Sequence, residues 1–237
     1  MSHEVKIHDA QTSILRELLF HPHANFAKLQ KGTGLSSDHF NFHISKLVEL
    51  GLVEKVSRGS YTLTPKGKEH ANKLDTDNNT IERQPKVAVI LAIERQNSDG
   101  KTEYLFQERL KQPYFGFWGF ATGKIRWGET IVQAAERELM EETGLTADYR
   151  IAGVYHELVY QQETGNQLED KIFFVIHCTN LAGRLIEEFE GGRNAWMSRK
   201  QALSQPKIFT SFDIEIDIVS SEEMFVERTV EYTKDLF

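Results

Sequence analysis

Residues 123–145 read Gly-Lys-Ile-Arg-Trp-Gly-Glu-Thr-Ile-Val-Gln-Ala-Ala-Glu-Arg-Glu-Leu-Met-Glu-Glu-Thr-Gly-Leu. The stretch is a glycine loop that feeds one helix, with a cluster of acids at the helix's far end. Glu138, Glu141 and Glu142 stand at i, i+3 and i+4, so they share a face and converge on one point. Ile131, Val132, Ala135 and Leu139 keep the same period on another face, which is expected to be buried. Gly144 is placed to end the helix in a left-handed cap. Three converging carboxylates repel one another. A hard divalent cation turns that repulsion into binding, and an all-oxygen set favours magnesium or manganese over zinc. The competing reading is a solvated acidic helix face.

The spacing of the whole stretch decides between them. It resembles the Nudix box, through Gly123, Glu129, Arg137, Glu138, Leu139, Glu141, Glu142, Gly144 and Leu145, with no fixed position failing. The resemblance implies an α/β/α sandwich with a mixed sheet, and hydrolysis of a nucleoside diphosphate linked to another group. It also implies Mg2+ or Mn2+ as cofactor. Glu138 and Glu142 match the principal metal ligands, Glu141 a second ligand, and the Gly123 carbonyl joins that shell. Glu129 matches an outer glutamate, and Arg137 an internal partner that positions the acids. One departure precedes the box: the chain reads Ala121-Thr122-Gly123 where many members read Pro-Gly-Gly.

Other residues follow from the same resemblance. The stretch Glu187–Trp196 is similar to the family's loop before a tryptophan-bearing strand, where a glutamate acts as general base. Spacing to Trp196 selects Glu190, with Glu187 and Glu188 as rivals. Arg109 matches a phosphate-contacting position, Arg126 and Lys124 flank the loop, and Trp127 is the aromatic expected to be exposed for stacking on a base. The substrate is expected to be of nucleotide type, without further identity.

Upstream, Ile14, Leu15, Leu18 and Leu19 stand at helical spacing before Pro22. A short helix over 25–31 is followed by the Gly32-Thr33-Gly34 turn. Ser36 then reads as the N-cap of a helix to Leu50 that turns Phe40, Ile44, Leu47 and Val48 inward. Two strands, 52–56 and 60–64, meet at Arg58-Gly59, and Thr64-Pro65 starts another helix. This order resembles a winged helix-turn-helix. The resemblance implies a groove-facing helix bearing Ser37, Asn41, His43 and Lys46, and a wing bearing Arg58. Its partner would be DNA, or else a second copy of the chain in a homodimer.

The organisation expected is therefore a winged helix-turn-helix domain at 1–76, a polar linker at 77–84 and a Nudix domain at 85–237. Charge divides along the same line. Residues 1–84 carry a net +1 and the remainder −8. The near-neutral first part does not announce a nucleic-acid binder, and the acidic second part suits a cation site. A lone cysteine, Cys178, excludes a disulfide framework. The absence of a secretory pattern and of a spanning apolar run points to a cytoplasmic protein without a membrane partner. Two functions follow: a Mg-dependent pyrophosphohydrolase with an accessory domain, or a transcription regulator whose Nudix domain senses a nucleotide such as ADP-ribose.

Overall fold

The change of hydrophobic period near residue 84 marks a physical division. In the computed structural model, which describes residues 8–57, 59–75, 80–81, 83–221 and 224–235, the chain separates into two units, Met1–Arg83 and Gln84–Phe237.

The first unit holds α1 (Asp9–Phe20), β1 (Ala24–Asn25), α2 (Phe26–Thr33), α3 (Ser37–Glu49), β2 (Val53–Ser57), β3 (Ser60–Leu63) and α4 (Pro65–Ala71). Its helices start where the sequence supplies caps. Asn25, Ser36 and Thr64 each accept a hydrogen bond from a backbone N–H of the first turn, and Pro65 occupies the first helical position. Ile14, Leu15, Leu18, Phe40, Ile44 and Leu47 form its core. Val48 departs from expectation. It is 41% exposed, because the inward stripe of α3 runs 40–44–47 and the next residue rotates away. Thr80–Ile81 (β5), expected within the linker, pairs with Leu74–Asp75 (β4). Arg58 lies outside the described residues.

The second unit is organised on β6 (Lys86–Gln96), whose buried run alternates between two cores. Ala88, Ile90 and Ala92 enter one, and Val89, Leu91 and Ile93 enter the other. A strand that buries both faces must be sandwiched between layers. Among the described residues the mixed sheet runs β12 (Glu188–Phe189), β13 (Gly192–Met197), β7 (Thr102–Arg109), β6, β11 (Gln167–Gly183), β10 (Leu145–Gln161) and β14 (Phe225–Tyr232). Short strands β8 (Trp118–Gly119) and β9 (Ala121–Lys124) pair with β7 and β6. β6 runs parallel to β11, and β10 parallel to β14; the remaining pairs are antiparallel.

Helix α5 (Ile131–Thr143) contributes Ala134, Ala135 and Leu139 to one core; α6 (Arg199–Leu203) and α7 (Phe212–Ser220) contribute Ala202, Phe212, Ile216 and Val219 to the other. Residues 213–220 alternate Ile with acids, a period that permits helix or strand, and they lie in helix α7. The buried stripe of α5 is Ala134, Ala135, Leu139 and Thr143. Ile131 and Val132, expected inside, are only half-buried. Cys178 is buried, and burial pushes its thiol up to about 12. Among the described residues no helix is long and apolar enough to cross a membrane.

Candidate active site

Helix α5 begins at a full capping box. Thr130 accepts from the Gln133 N–H, and the Gln133 side chain accepts from the Thr130 N–H, an arrangement worth about 1 kcal/mol. It ends at Gly144 with φ 70°, the expected left-handed cap.

Arg137 organises the acids. Its Nε and Nη2 donate to the two oxygens of Glu129 at 2.6 and 2.8 Å, a bidentate pair. Its Nη1 donates to Glu138 Oε1 at 2.5 Å, and Nη2 also reaches the Lys124 carbonyl at 2.9 Å. The Arg137 bonds hold the Glu129 carboxyl down at about 2, with the Arg126 backbone N–H adding to them. Glu138 packs against β9 at Gly123, where an added Cβ would overlap its side chain.

Glu142 stands one turn beyond Glu138. Its Oε2 accepts from Gln107 Nε2 at 3.0 Å. Burial raises its proton affinity, the Gln107 hydrogen bond offsets part of the rise, and the Glu138 charge adds to it.

Glu138, Glu142 and Gly123 line one wall of a cavity of about 720 Å3. Arg109, Lys111, Lys124 and Arg126 line it as well, so anion-binding groups surround the acids. The far end carries Glu157, Glu169, Lys171 and Glu215 between Phe120, Phe173 and Phe209. There the Lys171 ammonium lies 2.8 Å from Glu157 and 3.0 Å from Glu169. Burial disfavours the charges of Lys171 and Glu169. The ion pairs outweigh it, so Lys171 stays above and Glu169 below its ordinary range. For Glu215 burial outweighs the Ser211 hydrogen bond and the Lys171 charge, and it pushes the carboxyl up to about 7.

Glu138, Glu141 and Glu142 do not close on one point. Glu141 is half-exposed and faces Arg126 and Arg137, each at 3.5 Å, and it does not line the cavity. Among the described residues no three acidic, histidine or cysteine side chains are grouped to hold a metal ion. What the cavity wall does offer is an oxygen-only donor set, Glu138, Glu142 and the Gly123 backbone. That set fits a hard divalent cation and not a thiophilic one.

The outer residues are distributed differently from the sequence reading. Arg109 lines the cavity, but its guanidinium donates to the carbonyls of Pro113 at 2.5 Å and Gln112 at 3.3 Å, so it pins the following loop. Arg126 lines the cavity. Trp127 is 94% exposed, as expected, and lies outside the lining. Glu187, Glu188 and Glu190 are exposed, and none lines the cavity. Sequence reasoning missed Gln107, Lys111, Asn194 and the polar far end. No local signal marks Gln107, because its strand face reads Glu103, Leu105, Gln107 and Arg109.

On α3, Ser37, Asn41 and Lys46 are exposed, and Lys46 is paired with Glu49 at 3.0 Å. His43 is half-buried against His8, with ring centroids 4.6 Å apart. Burial first, then His8 and His39, lowers its proton affinity. Phe42 is 67% exposed on the same helix.

Comparison with known proteins supplies the family. A 50-residue segment is 46% identical to the oxidized purine nucleoside triphosphate hydrolase of Danio rerio, covering 20% of this chain and 32% of that relative. The MutT protein of Bacillus halodurans superposes with a TM-score of 0.50 at 21% identity, over 64% of this chain and 93% of that one. The NUDIX domain of Shewanella oneidensis NrtR, crystallised with ADP ribose, superposes with a TM-score of 0.50 at 15% identity, over 66% and 97%. These two likenesses concern the fold. The NUDIX domain model matches residues 83–216, more than half of the sequence, and the chain belongs to that family.

Proposed function

We propose that the chain is a Mg2+- or Mn2+-dependent Nudix pyrophosphohydrolase acting on a nucleotide. One observation carries the reading: a single cavity presents the Glu138–Glu142 wall and a ring of cations, Arg109, Lys111, Lys124 and Arg126. A pyrophosphate bridge needs both. The cations hold and orient its oxygens, and the carboxylates with the Gly123 backbone hold the divalent ion. When bound, that ion neutralises phosphate charge and acidifies water. Water attacks one phosphorus, the bridging oxygen leaves with the other phosphate, and the water's proton passes to a carboxylate at this end. We place that carboxylate on the cavity wall rather than at exposed Glu190. The aromatic-walled far end takes the rest of the substrate, and the resemblance of a segment to an oxidized purine nucleoside triphosphate hydrolase favours a purine nucleotide.

The test is a panel of nucleoside triphosphates, ADP-ribose and dinucleoside polyphosphates, assayed with Mg2+ and with chelator. Metal-dependent conversion of at least one member into a shorter nucleotide and its complementary product (pyrophosphate or phosphate from a triphosphate, a sugar phosphate from ADP-ribose, a second nucleotide from a dinucleoside polyphosphate) is the expected result. No hydrolysis of any member overturns the enzyme reading.

A second reading is favoured by the element order of the first unit. Three helices followed by the β2–β3 hairpin suit a winged helix-turn-helix, with Ser37, Asn41 and Lys46 outward. On this reading the protein regulates transcription and its Nudix domain senses a ligand such as ADP-ribose. The half-buried His43 is then no base reader. Salt-dependent binding to specific duplex DNA, modulated by a nucleotide without turnover, would establish it. A homodimer assembled through this unit is the remaining role for it, and sedimentation would reveal that.

A further inference from the structure

Gln107 is the only non-acidic side chain, among the described residues, that bonds the Glu142 carboxylate. It sits on β7 two residues after Leu105, so both project toward α5. Leu105 packs in the core with Ala135 and Leu139, and Gln107, one step further along, reaches the end of the same helix. The bond runs from Gln107 Nε2 to Glu142 Oε2 at 3.0 Å; among the described residues Oε1 receives no hydrogen bond.

The amide is itself held. Directly opposite on β13 stands Asn194, whose Oδ1 lies 3.4 Å from Gln107 Nε2. Asn194 is buried, and its Nδ2 donates at 2.8 Å to two carbonyls, those of Glu142 and Ile186. Its backbone N–H donates to the Glu187 carbonyl at 2.7 Å. Gly192, two residues before Asn194 on the same strand, leaves room for this arrangement. A Cβ there would come within 2.9 Å of Gln107 Cγ and of the Phe189 ring. One amide pair therefore ties β7, β13, the end of α5 and the chain before β12 to the backbone and carboxylate of a single residue.

We propose that Gln107, oriented by Asn194, is a positioning residue that presents the Glu142 carboxylate to the divalent cation. The inference rests on the metal-site reading given above. A carboxylate on a four-bond side chain otherwise distributes over several rotamers, and fixing one of its oxygens leaves the other aimed for coordination. Such outer partners typically set metal affinity by roughly ten- to a hundredfold.

The test is Mn2+ titration of the full-length, metal-free protein, with free Mn2+ read by its paramagnetic resonance signal. The wild type is compared with Gln107→Met, which keeps length and volume and removes the donor. The expected result is a Kd for Mn2+ raised about tenfold or more. In the substrate assay kcat falls at fixed Mn2+, while KM for the nucleotide stays within about twofold. Should Gln107→Met fail to fold, Gln107→Asn carries the same expectation, since its carboxamide stops about 1.5 Å short. A folded variant that binds Mn2+ like the wild type overturns the proposal and leaves Gln107 a packing residue. A wild type that binds no Mn2+ overturns the metal-site reading itself, so the two failures are distinguishable.

Discussion

The Glu138 side chain occupies the space that a Cβ on Gly123 would fill. The glycine is required here by volume, because the residue lies in β9, paired with Val89 of β6 in ordinary extended backbone. The segment expected to be a loop is this strand, which accommodates Ala121 and Thr122 and needs the glycine only at 123. Gly123→Ala is expected to expel the Glu138 carboxylate from the wall. It should cost on the order of 1–3 kcal/mol of stability and abolish most metal-dependent turnover. Thermal melts together with the nucleotide assay check this. Wild-type turnover in that variant would show that Glu138 is dispensable.

Arg137 makes four close polar contacts from a largely buried position: two to Glu129, one to Glu138 and one to the Lys124 carbonyl. Arg137→Lys keeps the charge and loses the fork. A lysine ammonium cannot satisfy the bidentate Glu129 pair and Glu138 together. We expect a loss of about 2–3 kcal/mol in denaturant unfolding, with turnover reduced more than substrate affinity. The informative control is Glu129→Gln, which should reproduce part of the same loss. If the lysine variant unfolds at the wild-type denaturant concentration, the fork contributes nothing.

Much of the second unit was legible because its signals are local. The helix face of Glu138 and Glu142, the Thr130 cap region and the Gly144 stop are written within a few residues of one another. What was not legible depends on distant partners. Glu141 shares the spacing of its neighbours, yet Arg126 and Arg137 draw it away from the cavity. Gln107 meets Glu142 35 residues on, and Asn194 meets it across 52. Nothing near any of them in sequence announces the meeting. Residues 213–220 alternate Ile with acids, so period alone could not choose between helix and strand. Helix formation buries Glu215, which a polarity rule assigns to solvent.

His156 joins three strands at the sheet edge. Its Nε2 meets Asp170 of β11 at 2.9 Å, and its Nδ1 meets Glu227 of β14 at 2.6 Å. The Asp170 bond, with Glu227 adding to it and burial opposing, raises its proton affinity above the ordinary value of 6.5. A raised folded-state value gives stability that is fully present below about 6.5 and is lost as pH rises through the folded value. His156→Gln should therefore destabilise the protein most at pH 5–6, with the difference from wild type shrinking under alkaline conditions. Melting curves of both proteins from pH 5 to 9 measure it. A difference independent of pH would assign His156 a packing role only.

Glu215 also loses stability with rising pH, but here the charged form is the unfavourable one, so removing the group stabilises. Its carboxyl is buried on α7 beside Glu157 and Lys171, and burial pushes it up to about 7 against an ordinary 4.5. Ser211 and Lys171 pull it down, but burial and Glu157 prevail. Below 4.5 the group is protonated in both folded and unfolded chains and costs nothing differential. Between 4.5 and 7 the unfolded chain has released its proton and the folded chain still holds it, so folding loses stability as pH rises. Above 7 the penalty is complete, on the order of 3 kcal/mol at about 1.4 kcal/mol per unit. Glu215→Gln keeps the shape and removes the titration. The variant should match wild type near pH 4, gain steadily to pH 7 and remain more stable above it. Denaturant unfolding at pH 4, 6 and 8 provides the measurement. Because Glu215 lines the far end of the cavity, the same variant separates stability from recognition. A stabilised protein with altered nucleotide preference places Glu215 against the substrate, whereas a stabilised protein with unchanged preference makes it a buried structural acid. A variant less stable than wild type at pH 8 would show that the carboxyl is charged and paired in the folded protein.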